Sequence, residues 1–134
     1  MPNEQYASPG ATAMRAALHA YVSRINDGDL PGILALFEPL AIIEDPVGSP
    51  PKTGDAIRSW FIDTIAYGTY ITPVAPIRGS HANAAALVFD VTFTPPGETP
   101  MLIRSLDVCT FSPRGLILTL KAYWGPEDMQ TLSG

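Results

Sequence analysis

Residues 84–111 read AAALVFDVTFTPPGETPMLIRSLDVCTF. Two extended runs, AAALVFDVTF (84–93) and MLIRSLDVCTF (101–111), flank TPPGETP (94–100), whose prolines and glycine break a strand and favour a turn. That is hairpin spacing. Outward from it, TYITPVAPI (69–77) precedes across RGSHAN (78–83), and LILTLKAYW (116–124) follows across SPRG (112–115). Four extended segments joined by short turns predict an antiparallel sheet in the second half of the chain.

The first half follows a different period. Met14, Leu18, Tyr21, Val22 and Ile25 recur every three or four residues and predict one apolar stripe on a helix. Gly28 in NDGD can take the left-handed conformation that ends it. Asp29 is then expected to cap a second helix, LPGILALFE (30–38), with Pro31 in its first turn. Asp55 is expected to cap a third, AIRSWFIDTIA (56–66), on which Ile57, Trp60, Phe61, Thr64 and Ile65 share a face. Between the second and third helices, AII (41–43) predicts a short strand entering the core. Helices first and antiparallel strands after predict an α+β fold, a curved sheet folded around three helices. Residues 1–10, with Pro2 and Pro9, are expected to be a loose tail, and 11–130 one domain.

Composition narrows the function. The chain has 134 residues, 46% hydrophobic and 16% charged, enough apolar material to line a cavity as well as fill a core. Its net charge of −5, with eight Lys and Arg scattered singly, argues against nucleic acid and anionic membranes as partners. The single Cys109 excludes an internal disulfide and fits a reducing compartment. No basic region followed by an apolar core opens the sequence, and no apolar run approaches the roughly 20 residues that span a bilayer. A cytoplasmic location is the expectation. His19 and His81 lack metal-ligand spacing, no glycine-rich phosphate loop occurs, and Cys109 has no activating neighbour, so no metal or other cofactor is expected.

Three polar groups stand beside apolar surfaces. Alternation along MLIRSLDVCTF puts Asp107 on one face with Met101, Ile103, Ser105, Cys109 and Phe111, while Arg104 points to the other. If that face is buried, the carboxyl loses hydration, gains no cation, and stays protonated as a hydrogen-bond donor. If it faces solvent, Asp107 is an ordinary surface acid. Tyr21 lies on the apolar stripe of the first helix, where its hydroxyl needs a backbone partner or a cavity. Asp45 ends AIIED and is held extended by Pro46, either as a turn residue or as a carboxylate at a pocket wall. Together, an ionised Asp45 could act as base while Tyr21 and a neutral Asp107 donate to a developing oxyanion, a division of labour suited to enolising a ketone. Phe89, Phe93, Phe111 and Trp124 could wall a pocket for a flat apolar ligand or could simply fill the core.

AYVSRINDGDLPGILALF, EDPVGSPPKTG, SLDVCTFSPRG and KAYWG, in that order and spacing, resemble the ketosteroid isomerases (steroid Δ5-isomerases) over about residues 14–129. The resemblance implies the cone-shaped NTF2-like fold, three N-terminal helices in a curved, mostly antiparallel sheet. It implies Asp45 as the base that moves a proton from C4 to C6 of a 3-oxo-Δ5-steroid. It also implies Tyr21 and a protonated Asp107 as donors to the dienolate oxygen. Phe89, Phe93, Phe111 and Trp124 match pocket-lining positions, and a homodimer through the outer sheet face and a cofactor-free reaction are implied too. One departure stands out: Phe61 occupies a position where the family often has a tyrosine that hydrogen-bonds the phenol. Two rival functions remain, a related enzyme acting on another enolisable or polyketide-like substrate and a non-catalytic carrier of apolar ligands. Fold alone does not separate them.

Overall fold

The computed structural model describes residues 7–132. Three helices, α1 (Ala11–Asn26), α2 (Leu30–Leu34) and α3 (Asp55–Ala66), pack against a curved sheet of six strands. The strands are β1 (Phe37–Glu44), β2 (Tyr70–Pro73), β3 (Ala84–Phe93), β4 (Met101–Phe111), β5 (Ile117–Tyr123) and β6 (Met129–Thr131). Their order across the sheet is β1-β5-β4-β3-β2, and β6 pairs with β4. The α+β architecture is the one expected from the change of period along the chain.

α1 buries Met14, Leu18, Tyr21 and Ile25 of the expected stripe, and Val22 is half-buried at its edge. Each of the buried aliphatic side chains contributes about 1.5–3 kcal/mol by leaving water. The helix stops where Gly28 turns left-handed at φ 68°, its N–H donating to the Ile25 carbonyl at 3.0 Å. Just before the stop, the Asn26 side chain donates to the Ile71 carbonyl at 2.9 Å and accepts from the Ile71 N–H at 2.7 Å. That pair of bonds fastens the end of α1 to β2, an edge strand that Pro73 closes.

Several local expectations are corrected. α2 spans only Leu30–Leu34, because Phe37 and the residues after it enter β1; Asp29 caps it as expected, accepting from the Gly32 N–H at 3.0 Å. At α3 the N-cap is Gly54 with no side-chain cap bond, and Asp55 is instead the first helical residue, an acid near the positive end of the dipole. The AII strand is the inner part of a longer β1, which pairs in parallel with β5. Of the expected tail 1–10, residues 1–6 lie outside the described residues. Residues 7–10 lead into α1 without regular structure.

The β3–β4 hairpin is the spine of the sheet, running in register from Phe93↔Met101 to Ala84↔Thr110. The other edge of β4 is shared. β5 pairs with Leu106–Phe111 and β6 with Met101–Ile103, with a 3-10 turn at Pro126–Asp128 between them. The concave face of β4, from Ile103 through Ser105, Asp107 and Cys109 to Phe111, is buried. Arg104 and Leu106 face outward, as alternation requires. Among the described residues no helix is long and apolar enough to cross a membrane.

Candidate active site

Between the helices and the concave face of the sheet lies a cavity of about 370 Å³, within the usual range for small-molecule sites. Its floor is β4 from Met101 to Asp107, and Trp60, Phe89, Phe93 and Trp124 supply aromatic walls. The lining is mostly apolar. Tyr21, Asp45 and Asp107 all reach it, from α1, from the chain just after β1, and from β4.

The parallel β1–β5 ladder explains how Asp45 arrives there. Glu44 pairs with Lys121, so the residues that follow the two strands emerge at the same end. Val47 N–H then donates to the Ala122 carbonyl at 2.8 Å, and Trp124 Nε1 donates to Asp45 Oδ1 at 2.8 Å. Burial raises the Asp45 pKa, while the Trp124 hydrogen bond and the Lys52 charge pull it back toward ionisation. Lys52 is positioned by the return of the loop: its N–H and carbonyl bond to Ile43, and its Nζ lies 4.2 Å from the centroid of the Trp60 ring.

Asp107 sits mid-sheet, between Leu87 on β3 and Ala122 on β5, and is 2% exposed. Its Oδ1 has no hydrogen-bond partner among the described residues. Burial pushes its pKa well above the ordinary carboxylate value, and the nearby charge of Asp45 pushes it further. Both effects favour the protonated form of the carboxyl, whose O–H is a hydrogen-bond donor. Tyr21 is 6% exposed, its ring held edge-on by Phe61 at 6.2 Å and Phe37 at 6.4 Å between centroids. Burial, then the charges of Asp107 and Asp45, raise its pKa well above that of a free phenol, so it stays a donor. Phe61 is an apolar wall beside the phenol and has no hydroxyl with which to orient it.

Of the seven residues singled out from sequence, Asp45, Tyr21, Asp107, Phe89, Phe93 and Trp124 meet in this cavity. Phe111 does not. It lies past the deep end of the floor, 0% exposed in the core beside Cys109, where the β4–β5 register shifts. Alternation gave its face correctly but not its depth. Lys52 and Trp60 were not singled out as site residues; the return of the chain from Pro50 to Thr53 against β1 places the first, and only the fold shows it. Ser105 shares the Asp107 face by the same alternation. Among the described residues no cluster of His, Cys, Asp or Glu is arranged to hold a metal ion.

An α+β fold with an apolar cavity lined by two carboxyl groups and a buried phenol describes a small-molecule site. The family model of the SnoaL-like domain matches residues 18–119, and the chain belongs to that family. It is 34% identical over 116 residues to a steroid Delta-isomerase from Nocardioides simplex, covering 87% of this chain and 93% of that protein. It is 28% identical over 124 residues to the epoxide hydrolase LasB from Streptomyces lasalocidi, covering 90% of this chain but 44% of that longer protein. A solved structure of the epoxide hydrolase/cyclase-like enzyme SalBIII, described as having a role in pyran ring formation in the polyether salinomycin, superposes with TM-score 0.85. That pair is 26% identical over 90% of this chain and 97% of the other.

Proposed function

We propose that the protein is a steroid Δ5-isomerase, converting 3-oxo-Δ5-steroids to conjugated 3-oxo-Δ4-steroids by moving one proton from C4 to C6. The observation that supports this reading is Asp107: a buried carboxyl whose pKa burial raises, with an unpartnered oxygen, on the floor of an apolar cavity that Asp45 also lines. Asp45, ionised with help from Trp124 and Lys52, takes the C4 proton. The electron pair released moves into the C3–O3 system, giving a dienolate. Tyr21 and Asp107 donate hydrogen bonds to O3, which stabilise the charge as it develops and carry no full charge of their own. Protonated Asp45 then returns the proton to C6, and the double bond moves into conjugation. The two acids divide these roles because the charge of one raises the pKa of the other, so the pair keeps one proton. The substrate would be held by burial of its ring skeleton at about 25 cal/mol per Å².

The similarity to the steroid Delta-isomerase, at 34% over nearly its whole length, supports this reading. The likeness to epoxide hydrolases supports a second: neutral Asp107 could protonate an epoxide oxygen while Asp45 activates the attacking nucleophile. In either case the protein would assemble as a homodimer through the outer sheet face, where Leu40, Ile42, Leu106 and Tyr123 are exposed.

Mixing the purified protein with 5-androstene-3,17-dione and following the ultraviolet band of the conjugated enone tests the first reading. Rapid growth is expected, falling by a factor of about 10²–10⁴ or more in Asp45→Asn, the scale of a general base. Tight binding of a planar phenol without any enone growth would reject the isomerase and leave a carrier or the epoxide chemistry.

A further inference from the structure

Among the described residues, the buried side-chain polar atoms without a hydrogen-bond partner are Asp107 Oδ1 and Ser105 Oγ. They fall on the same face of the same strand, two residues apart, and both residues line the cavity. The proposed proton transfer uses Asp107 and leaves Ser105 idle. A hydroxyl that is 4% exposed and unpaired destabilises a folded protein, and an alanine or valine would pack there without that cost.

Among the described residues nothing hydrogen-bonds to the Ser105 hydroxyl. Its neighbour across the hairpin is Phe89, an apolar wall of the cavity. On the other edge of β4 it faces the gap in the ladder, after β6 ends its pairing at Ile103 and before β5 begins at Leu106. The adjacent cation, Arg104, points outward and is bonded to Asp90 at 2.7 and 3.0 Å. The polar donor nearest in role, Trp124 Nε1, is already given to Asp45.

We propose that Ser105 is a specificity-determining contact that takes a second oxygen of the substrate. Two residues of strand separate it from Asp107, about 7 Å along the floor toward Met101. In a fused-ring ketone whose carbonyl oxygen sits at Asp107, that separation reaches a hydroxyl or carbonyl substituent on the second or third ring. The preferred substrate class is therefore an apolar polycyclic ketone oxygenated in mid-skeleton. This assignment rests on the isomerase reading for the end of the molecule that meets Asp107.

Equilibrium binding tests it without requiring turnover. Trp60 and Trp124 line the cavity, so their fluorescence reports occupancy by androst-4-ene-3,17-dione and by its 7-hydroxy and 11-hydroxy forms, both epimers of each. The parent protein is expected to bind at least one hydroxylated form about tenfold more tightly than the unsubstituted ketone, the scale of one hydrogen bond in a dry site. Ser105→Ala and Ser105→Val should both lose that preference while melting as folded proteins. A general packing role would shift all affinities together and leave the ratio intact. The proposal is overturned if the ratio survives in either folded variant, or if the parent prefers none of the oxygenated forms. Enone growth from 5-androstene-3,17-dione in the parent and in Asp45→Asn separately decides the isomerase reading.

Discussion

Asp90 and Asp107 lie on neighbouring strands of one sheet, and their titrations are pushed in opposite directions. Asp90, on β3, pairs across the ladder with Arg104 and accepts two hydrogen bonds from its guanidinium, at 2.7 and 3.0 Å. Those bonds, followed by the Arg104 charge, hold its pKa below the usual value. Asp107, on β4, pairs across the same ladder with Leu87, which offers only methyl groups. Burial holds its pKa well above the usual value. The difference is a matter of parity along the strands: one residue of shift in register would exchange the faces of every side chain on β4. Polar, paired chemistry is kept on the convex face, and unpaired, desolvated chemistry on the concave one.

Removing Asp107, the proposed donor on the concave face, should have a large effect. Asp107→Ala is expected to lower kcat by about 10²–10³, the loss seen when one oxyanion donor is deleted. Asp107→Asn keeps an N–H donor of similar shape and should lose much less. The ratio between Asp107→Asn and Asp107→Leu, which has the same branching but no donor, separates donation from mere packing, because a residue that only filled space would tolerate both. Steady-state enone formation with both variants measures it.

The same contrast predicts how stability depends on pH. An Asp in the unfolded chain titrates near about 3.9, whereas burial raises the folded value for Asp107. Between those two values the folded protein keeps a proton that the unfolded chain has released. Stability from this group is therefore full below the unfolded pKa and falls as pH rises toward the folded one. Asp107→Asn cannot titrate. Its Tm should gain on the parent as pH rises from the unfolded pKa toward the folded one of Asp107, while Asp45, also raised, contributes in the same direction to both proteins. Parallel Tm curves across that window would mean that Asp107 is solvated or paired.

Much of this contrast is legible in the sequence because it depends on local periods. MLIRSLDVCTF states by alternation that Asp107 and Ser105 share a face and that Arg104 does not. The three- and four-residue spacing of α1 states that Tyr21 is inside. What alternation cannot state is depth, so Phe111 stands on the correct face but past the end of the cavity. Nor can it state which strands meet. The parallel pairing of β1 with β5, which delivers Asp45 to Trp124, joins Glu44 to Lys121 through contacts no local pattern encodes. The same is true of Lys52, whose charge reaches Asp45 only because the loop folds back on Ile43. β6 is three residues, too short for a period, and it forms because β4 outruns β5 and leaves an edge to pair.

The smallest effect is expected on the convex face. In the single chain the Arg104 side chain is 61% exposed and that of Asp90 24%, so water and salt screen the pair and its contribution to stability is small. Asp90→Asn should accordingly lower Tm by no more than a few degrees, less at high ionic strength, and leave kcat unchanged. The pH dependence of that small contribution has the opposite sign to that of Asp107. A lowered folded pKa gives stability that is present above the unfolded value and lost as pH falls through the folded one. Below the folded pKa of Asp90, parent and Asp90→Asn should therefore converge, whereas Asp107→Asn departs from the parent only as pH rises. A large loss of turnover in Asp90→Asn would break the comparison, since it would mean that the two faces of β4 are coupled through Arg104 and that register alone does not keep their chemistries apart.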